Sequence, residues 1–203
     1  MSIKEIISNF VKVVNRAVFR SRIDDRNRTS PVNDSFGYNR GLPIDRYYIE
    51  GAIKNYSKYI QGPVLEIGGR DYTEKFGNVD SDESFILNYV PMAGDNVIVG
   101  DLCDYSSLGG RQFQTFICTQ TMNFVYDFKS AIDTSYKLLN PGGYFVGTVA
   151  SVSNISKYDD SRWGDYWRFT RKGMEKVLLE CKFEIIDLRG FGNILAAKAM
   201  FDG

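Results

Sequence analysis

Val64-Leu65-Glu66-Ile67-Gly68-Gly69-Arg70-Asp71 is the stretch whose reading decides the fold. Apolar residues surround a single acid and run into two glycines. Short apolar runs of this kind form strands buried on both faces, as in a parallel sheet. Glycine at the strand's end allows a sharp turn and lets backbone approach a ligand closely. Similar runs recur downstream at 84–88, 96–100 (Asn-Val-Ile-Val-Gly), 114–119 and 144–150.

Helical patterns separate these runs. One covers 44–60, with Pro43 at its start, where a missing N–H costs nothing. A second covers 128–139, with Ala131, Ile132, Tyr136, Leu138 and Leu139 as its apolar positions, and stops at Asn140-Pro141-Gly142-Gly143. A third is capped by Thr170 and runs through Glu180. Strand and helix in alternation imply a mostly parallel sheet with helices on both faces. Residues 183–188 and 194–201 read as two closing strands. Gly190-Phe191-Gly192 leaves too little chain between them for a parallel crossover, so they are expected to be antiparallel neighbours.

The segment before this domain has a different character. Ile3, Ile6, Ile7, Phe10, Val14 and Ala17 recur at helical spacing, and Lys4, Lys12, Arg16, Arg20 and Arg22 face only Glu5. This reads as an amphipathic helix, docked on its own domain or on a second subunit, or lying on an anionic membrane surface. Residues 21–42 are polar and read as a loop or lid. The expected organisation is an N-terminal helix and loop over 1–42, followed by one α/β domain over 43–203.

Composition narrows the chemistry. Twenty-five basic and 25 acidic residues cancel, which argues against an extended nucleic-acid interface. There is no histidine, so Ser-His-Asp and Cys-His catalysis and His-ligated metals are excluded. A general base must then be Asp, Glu, Lys, Tyr or water. Cys103, Cys118 and Cys181 form no CxxC pair, so no metal site is expected; they read as reduced core thiols of a cytosolic protein. No apolar run reaches membrane-spanning length.

In an open α/β sheet, ligands bind beyond the carboxyl ends of the strands. Three strand ends carry polar or glycine residues here: Glu66 to Gly69, Gly100-Asp101-Leu102, and Thr119-Gln120-Thr121. The full GxGxxG spacing of a dinucleotide site is absent, which weighs against a nicotinamide-dependent oxidoreductase. No carboxylate stands at Cys118 to Thr121, which weighs against a magnesium site at that strand end.

The ordered series Val64 to Gly68, Gly100-Asp101-Leu102 and Leu138-Leu139-Asn140-Pro141-Gly142-Gly143 resembles the class I methyltransferases that use S-adenosylmethionine (SAM). Three further segments, Pro43 to Glu50, Thr119 to Thr121 and Arg162 to Thr170, resemble a bacterial subfamily found beside glycosyltransferases in polysaccharide gene clusters. The resemblance implies a Rossmann-like seven-stranded sheet of order 3-2-1-4-5-7-6 with its last strand antiparallel. It implies that Glu66, Gly68 and Gly69 border the methionine part of SAM. Asp101 and the Leu102 backbone would contact the adenine, and Gln120 would lie near the reactive centre. Two places depart from the family pattern. Arg70 and Tyr72 stand where further glycines are usual, and Asn88 stands where an acid usually binds the ribose. Asn88 still offers hydrogen bonds, without charge assistance.

The activity implied is methylation, chiefly O-methylation, of a saccharide or other small polar metabolite. Asp45 and Asp165 are the candidate bases, each with an alternative role as a cap or as the ion-pair partner of Arg46 or Arg168. Tyr47, Tyr166, Trp167 and Arg168 are candidate acceptor contacts, because aromatic faces pack against sugar C–H surfaces and arginine pairs with anionic groups. The N-terminal helix would provide any contact with a glycosyltransferase, a membrane surface or a second subunit. The competing reading is a non-catalytic partner protein that keeps the fold, motivated by Asn88 and the sparse glycines.

Overall fold

A computed structural model describes residues 29–32, 36–39 and 41–202. The expected N-terminal helix and most of its basic residues lie outside this range. The described residues fall into two compact units. The larger comprises Ile49–Ser151 and Tyr158–Gly190; the smaller is made of the described residues up to Tyr48, Val152–Lys157, and those from Phe191 onward.

The larger unit is built on a five-stranded parallel sheet: β1 (Val64–Ile67), β2 (Ser84–Asn88), β3 (Val97–Val99), β4 (Phe113–Thr119) and β5 (Leu139–Thr148), in the order β3-β2-β1-β4-β5. Alternate side chains leave the sheet on opposite faces and feed two clusters. Leu65, Phe116 and Cys118 join one with Phe113, Ala131, Ile132, Met174 and Val177. Val64 and Ile117 join the other with Ile49, Ile53, Ile60 and Tyr72. Helices therefore cover both faces: α1 (Ile44–Asn55) from Ile49 onward and α2 (Asp71–Phe76) on one, α3 (Phe128–Lys137) and α5 (Arg171–Glu180) on the other, with the single turn α4 (Lys157–Asp160) between those two in sequence. Thr170 caps α5 as expected, its hydroxyl accepting from the Gly173 amide at 3.1 Å.

The sheet departs from the sequence expectation in three places. Residues 183–188 form no strand ladder: Phe183, Ile185 and Leu188 pack into the larger cluster while Glu184 and Ile186 face solvent, a strand-like alternation without strand pairing. Residues Ile194–Asp202 are a helix, α6, in the smaller unit. Asn193 caps it, accepting from the Ala196 amide at 3.0 Å, and Leu-Ala-Ala-Lys-Ala-Met is a run of strong helix formers. The apolar run was compatible with either periodicity, and propensity together with the cap decided it. The seventh-strand and antiparallel expectations are thus corrected to five parallel strands.

The third departure concerns β5, which begins at Leu139 instead of Tyr144. Phe113 pairs with Leu139 and Thr115 with Tyr144, so the Asn-Pro-Gly-Gly segment bulges inside the strand. Gly143 fits tightly there, since a Cβ would meet the carbonyl oxygens of Asn140 and Gln114 at 3.0 Å. α1 is also shorter than expected, ending at Asn55 before a short 3-10 turn at Ser57–Tyr59.

Candidate functional site

The chain runs outward from β1 through β2 to β3 on one side, then returns to place β4 and β5 on the other. The switch point lies between β1 and β4, the place where open α/β sheets bind ligands beyond the carboxyl ends of their strands. Gly68 and Gly69 follow β1 there, and Gln120 to Asn123 follow β4.

Gly68 has φ +76°, a left-handed conformation that favours glycine. Its amide donates to Leu87 O at 2.9 Å, which ties the corner to the end of β2. A Cβ at Gly68 or Gly69 would meet nothing within 4 Å, so the corner borders open space. Glu66 is buried and supports this corner from below. Its Oε1 accepts from the Tyr72 amide at 3.1 Å, and its Oε2 accepts from the Thr73 amide at 2.8 Å and the Thr73 hydroxyl at 2.7 Å. The acid therefore holds the first turn of α2 and so fixes the path of the Gly68–Gly69 loop. Burial pushes the Glu66 carboxyl above its ordinary range, and the three donors partly oppose that shift.

The two residues at the departing glycine places have other partners. The Arg70 guanidinium donates to Asp95 O at 2.8 Å. Tyr72 is buried in the cluster with Ile49 and Ile53, its ring stacked 6.4 Å from Phe76.

Asn88 ends β2, and its carbonyl accepts from the Gly100 amide at 3.0 Å, so the β2 and β3 ends stand side by side. Gly100 has no room for a side chain; a Cβ would meet Leu108 Cδ2 at 2.6 Å. The next residue, Asp101, uses Oδ1 to accept from the Cys103 amide at 2.8 Å. Leu102 is buried, and its amide donates to no partner among the described residues. Gln120 sits at φ +50°, held by its amide on Thr148 O at 2.8 Å and by Nε2 on the Thr148 hydroxyl at 3.2 Å, which joins the β4 and β5 ends.

The 163–168 segment is fastened to the turn after β4. The amides of Tyr166 and Trp167 donate to Asn123 O at 2.9 and 3.2 Å. Trp167 Nε1 donates to Tyr126 O at 3.1 Å while its ring packs on Phe128, so it belongs to the core edge. Tyr166 is half exposed and meets the Tyr126 ring at 5.3 Å; Trp163 meets Tyr89 at 6.1 Å, both edge to face. Gly164, at φ +84°, gives the Tyr166 ring its place, since a Cβ would collide with it. Asp165 and Arg168 form a two-pronged ion pair at 2.5 and 2.9 Å, with the Asp165 side chain only 1 % exposed. Of the two roles open to Asp165, the geometry displays the ion pair.

Asp45 and Tyr47 lie in the smaller unit. Asp45 accepts from the Arg46 amide at 2.8 Å in the first turn of α1, and Tyr47 is exposed, edge to face with Tyr48 at 5.3 Å. Among the candidates, the larger unit carries Glu66, Gly68, Gly69, Asn88, Asp101, Leu102, Gln120, Asp165, Tyr166, Trp167 and Arg168. Among the described residues no cluster of three or more His, Cys, Asp or Glu is placed to hold a metal.

The CurJ carbon methyltransferase superposes with a TM-score of 0.54 at 16 % identity, over 96 % of this chain and 66 % of that one. A candidate methyltransferase from Bacillus halodurans gives 0.52 at 13 % identity, covering 69 % and 71 %. A SAM-dependent methyltransferase from Thermotoga maritima gives 0.50 at 19 % identity, covering 76 % and 80 %. The chain has the Rossmann-like methyltransferase fold. No protein-family model and no curated protein matches it. Within this fold the described sheet carries the first five strands in their usual order.

Sequence reasoning missed three features of the site. Tyr89 and Tyr126 are partners of the aromatic segment, the first directly after β2 and the second beyond the turn that follows β4. Asn123 is the anchor of that segment, and a lone asparagine in a turn gave no signal.

Proposed function

We propose that the chain is a SAM-dependent methyltransferase acting on a hydroxyl of a saccharide or another small polar metabolite. The observation that carries this reading is the open glycine corner at the switch point, beside a strand end with an acid and a free amide. The donor set fits the cofactor. Gly68 and Gly69 would border its methionine part. Asp101 keeps one carboxylate oxygen for the adenine amine, and the Leu102 amide can donate to a ring nitrogen. Asn88 would hydrogen-bond the ribose. Bound SAM would supply an electrophilic methyl for the acceptor oxygen, and a carboxylate of the chain or water would take the hydroxyl proton.

The chain's part is mainly positioning, which alone can supply a large share of such a rate enhancement. Gln120, pinned on Thr148, holds the β4 end in shape. The Asp165–Arg168 pair and Gly164 fix the segment that carries Tyr166 and Trp163 as acceptor-facing rings. Asp45 and Asp165 stay the candidate bases, and Tyr47 a candidate acceptor contact, as the resemblance implies. Burial pushes the Cys103 thiol to about 11 and the Cys118 thiol to about 12, so both are inert as nucleophiles. Contact with a glycosyltransferase, a membrane surface or a second subunit would fall to the N-terminal segment.

The second reading is a methyltransferase-fold partner protein without catalysis, favoured by the uncharged Asn88 at the ribose position. Calorimetry with S-adenosylhomocysteine separates the two. Binding at micromolar concentrations supports the enzyme, and no heat at millimolar ligand supports the partner protein.

A further inference from the structure

We propose that the side-chain amide of Asn123 is an acceptor-binding group, which takes a hydrogen bond from the O–H or N–H that is to be methylated. This deepens the methyltransferase reading and rests on it. Asn123 lies in the turn after β4, three residues beyond Gln120, on the β4 side of the switch point that Gly68 flanks from the β1 side. It is 3 % exposed, and its Oδ1 has no hydrogen-bond partner. An unmet buried carbonyl is costly, and native proteins keep few of them. Ser84 Oγ, also unpaired, sits at the start of β2, at the end of the sheet away from the carboxyl ends of the strands.

The backbone carbonyl of Asn123 is engaged while its side-chain Oδ1 is not. Its carbonyl receives both the Tyr166 and Trp167 amides, so this residue joins the β4 turn to the aromatic segment. A carbonyl oxygen at that joint can only accept. It therefore selects a nucleophile that carries a hydrogen, a hydroxyl or an amine, over a thioether, which has none. Substrate binding would satisfy the orphan, so the favourable contact is made only when the acceptor arrives.

The test compares wild type with Asn123→Leu, Asn123→Ala and Asn123→Asp. Three readouts are taken: melting temperature, S-adenosylhomocysteine affinity, and transfer of labelled methyl from SAM into a deproteinised bacterial small-molecule extract at increasing extract concentration. The Leu variant is expected to melt no lower than wild type, because it fills the volume and removes the orphan. It should bind S-adenosylhomocysteine within about twofold of wild type yet need at least about tenfold more extract for half-maximal labelling. The Asp variant, which keeps an accepting oxygen, should recover part of that loss. The proposal is overturned if the Leu variant labels the extract like wild type, or if it melts as low as the Ala variant, which would mean a structural partner for the amide. Wild type that binds S-adenosylhomocysteine but labels nothing overturns it too. Wild type that does not bind S-adenosylhomocysteine overturns the methyltransferase reading itself.

Discussion

Replacing Gly69 by alanine separates the cofactor corner from the stability of the fold. Gly69 lies outside the left-handed region, and a Cβ there meets nothing within 4 Å. The added methyl therefore clashes with no protein atom. It also restricts the unfolded chain, so unfolding free energy should stay level or rise by up to about 1 kcal/mol. If the open space is where the methionine part of SAM lies, the same methyl occupies ligand volume. Affinity for S-adenosylhomocysteine should then fall at least about tenfold, which is roughly 1.4 kcal/mol or more. Gly68→Ala is the companion. Its Cβ is equally unobstructed, but φ is +76°, so left-handed backbone adds roughly 1–2 kcal/mol of destabilisation on top of the binding loss. Urea denaturation gives the stabilities and titration calorimetry the affinities. Unchanged affinity in a stable Gly69→Ala protein would refute the placement of the ligand at this corner.

Three further outcomes are expected. Glu66→Gln puts an amide donor against the donors of Tyr72 and Thr73, and should cost about 1–3 kcal/mol in denaturant unfolding. Because burial raises the Glu66 carboxyl above its ordinary 4.5, its protonated form contributes stability below that value, and this is lost as pH rises through the folded value; the gap between wild type and Glu66→Gln should narrow over that window. Arg168→Lys replaces the two-pronged contact to buried Asp165 with a point charge, and should lower the melting temperature and impair methyl transfer while leaving S-adenosylhomocysteine affinity within about twofold. Thr170→Ala removes the cap of α5 and should cost about 1 kcal/mol in the same unfolding assay, with binding unaffected.

Much of the fold was legible in the sequence because the central strands are buried on both faces. Val64-Leu65-Glu66-Ile67 and the 84–88 and 114–119 runs are too apolar and too short for exposed elements, and each became a parallel strand. Thr170 announced α5 by its hydroxyl. The C-terminal region was not legible on the same terms. Residues 194–201 are apolar without a clear period, and the Asn193 cap together with an alanine-rich run made them helical. The Asn-Pro-Gly-Gly turn was seen as a helix stop, but its further role as a bulge depends on the carbonyls of Phe113 and Gln114, which only the folded sheet brings near.

The candidate site shows the same division. Strand ends located Gly68, Asn88, Asp101 and Gln120, because topology alone puts them at one edge of the sheet. The orientation of side chains was not available from spacing. Glu66 spends both oxygens on α2, and Asp165 is committed to Arg168. The first commitment cannot be read without knowing that Thr73 folds back over β1, and spacing offered the second only as one of two roles for Asp165. Asn123 matters through a contact to residues more than 40 positions later.

A crystal structure of the protein with S-adenosylhomocysteine tests the central claim most directly. The account predicts the homocysteine backbone against Gly68 and Gly69, with the adenine between the Asp101 carboxylate and the Leu102 amide. Density for the ligand at any other edge of the sheet, or side chains filling the glycine corner, would contradict it.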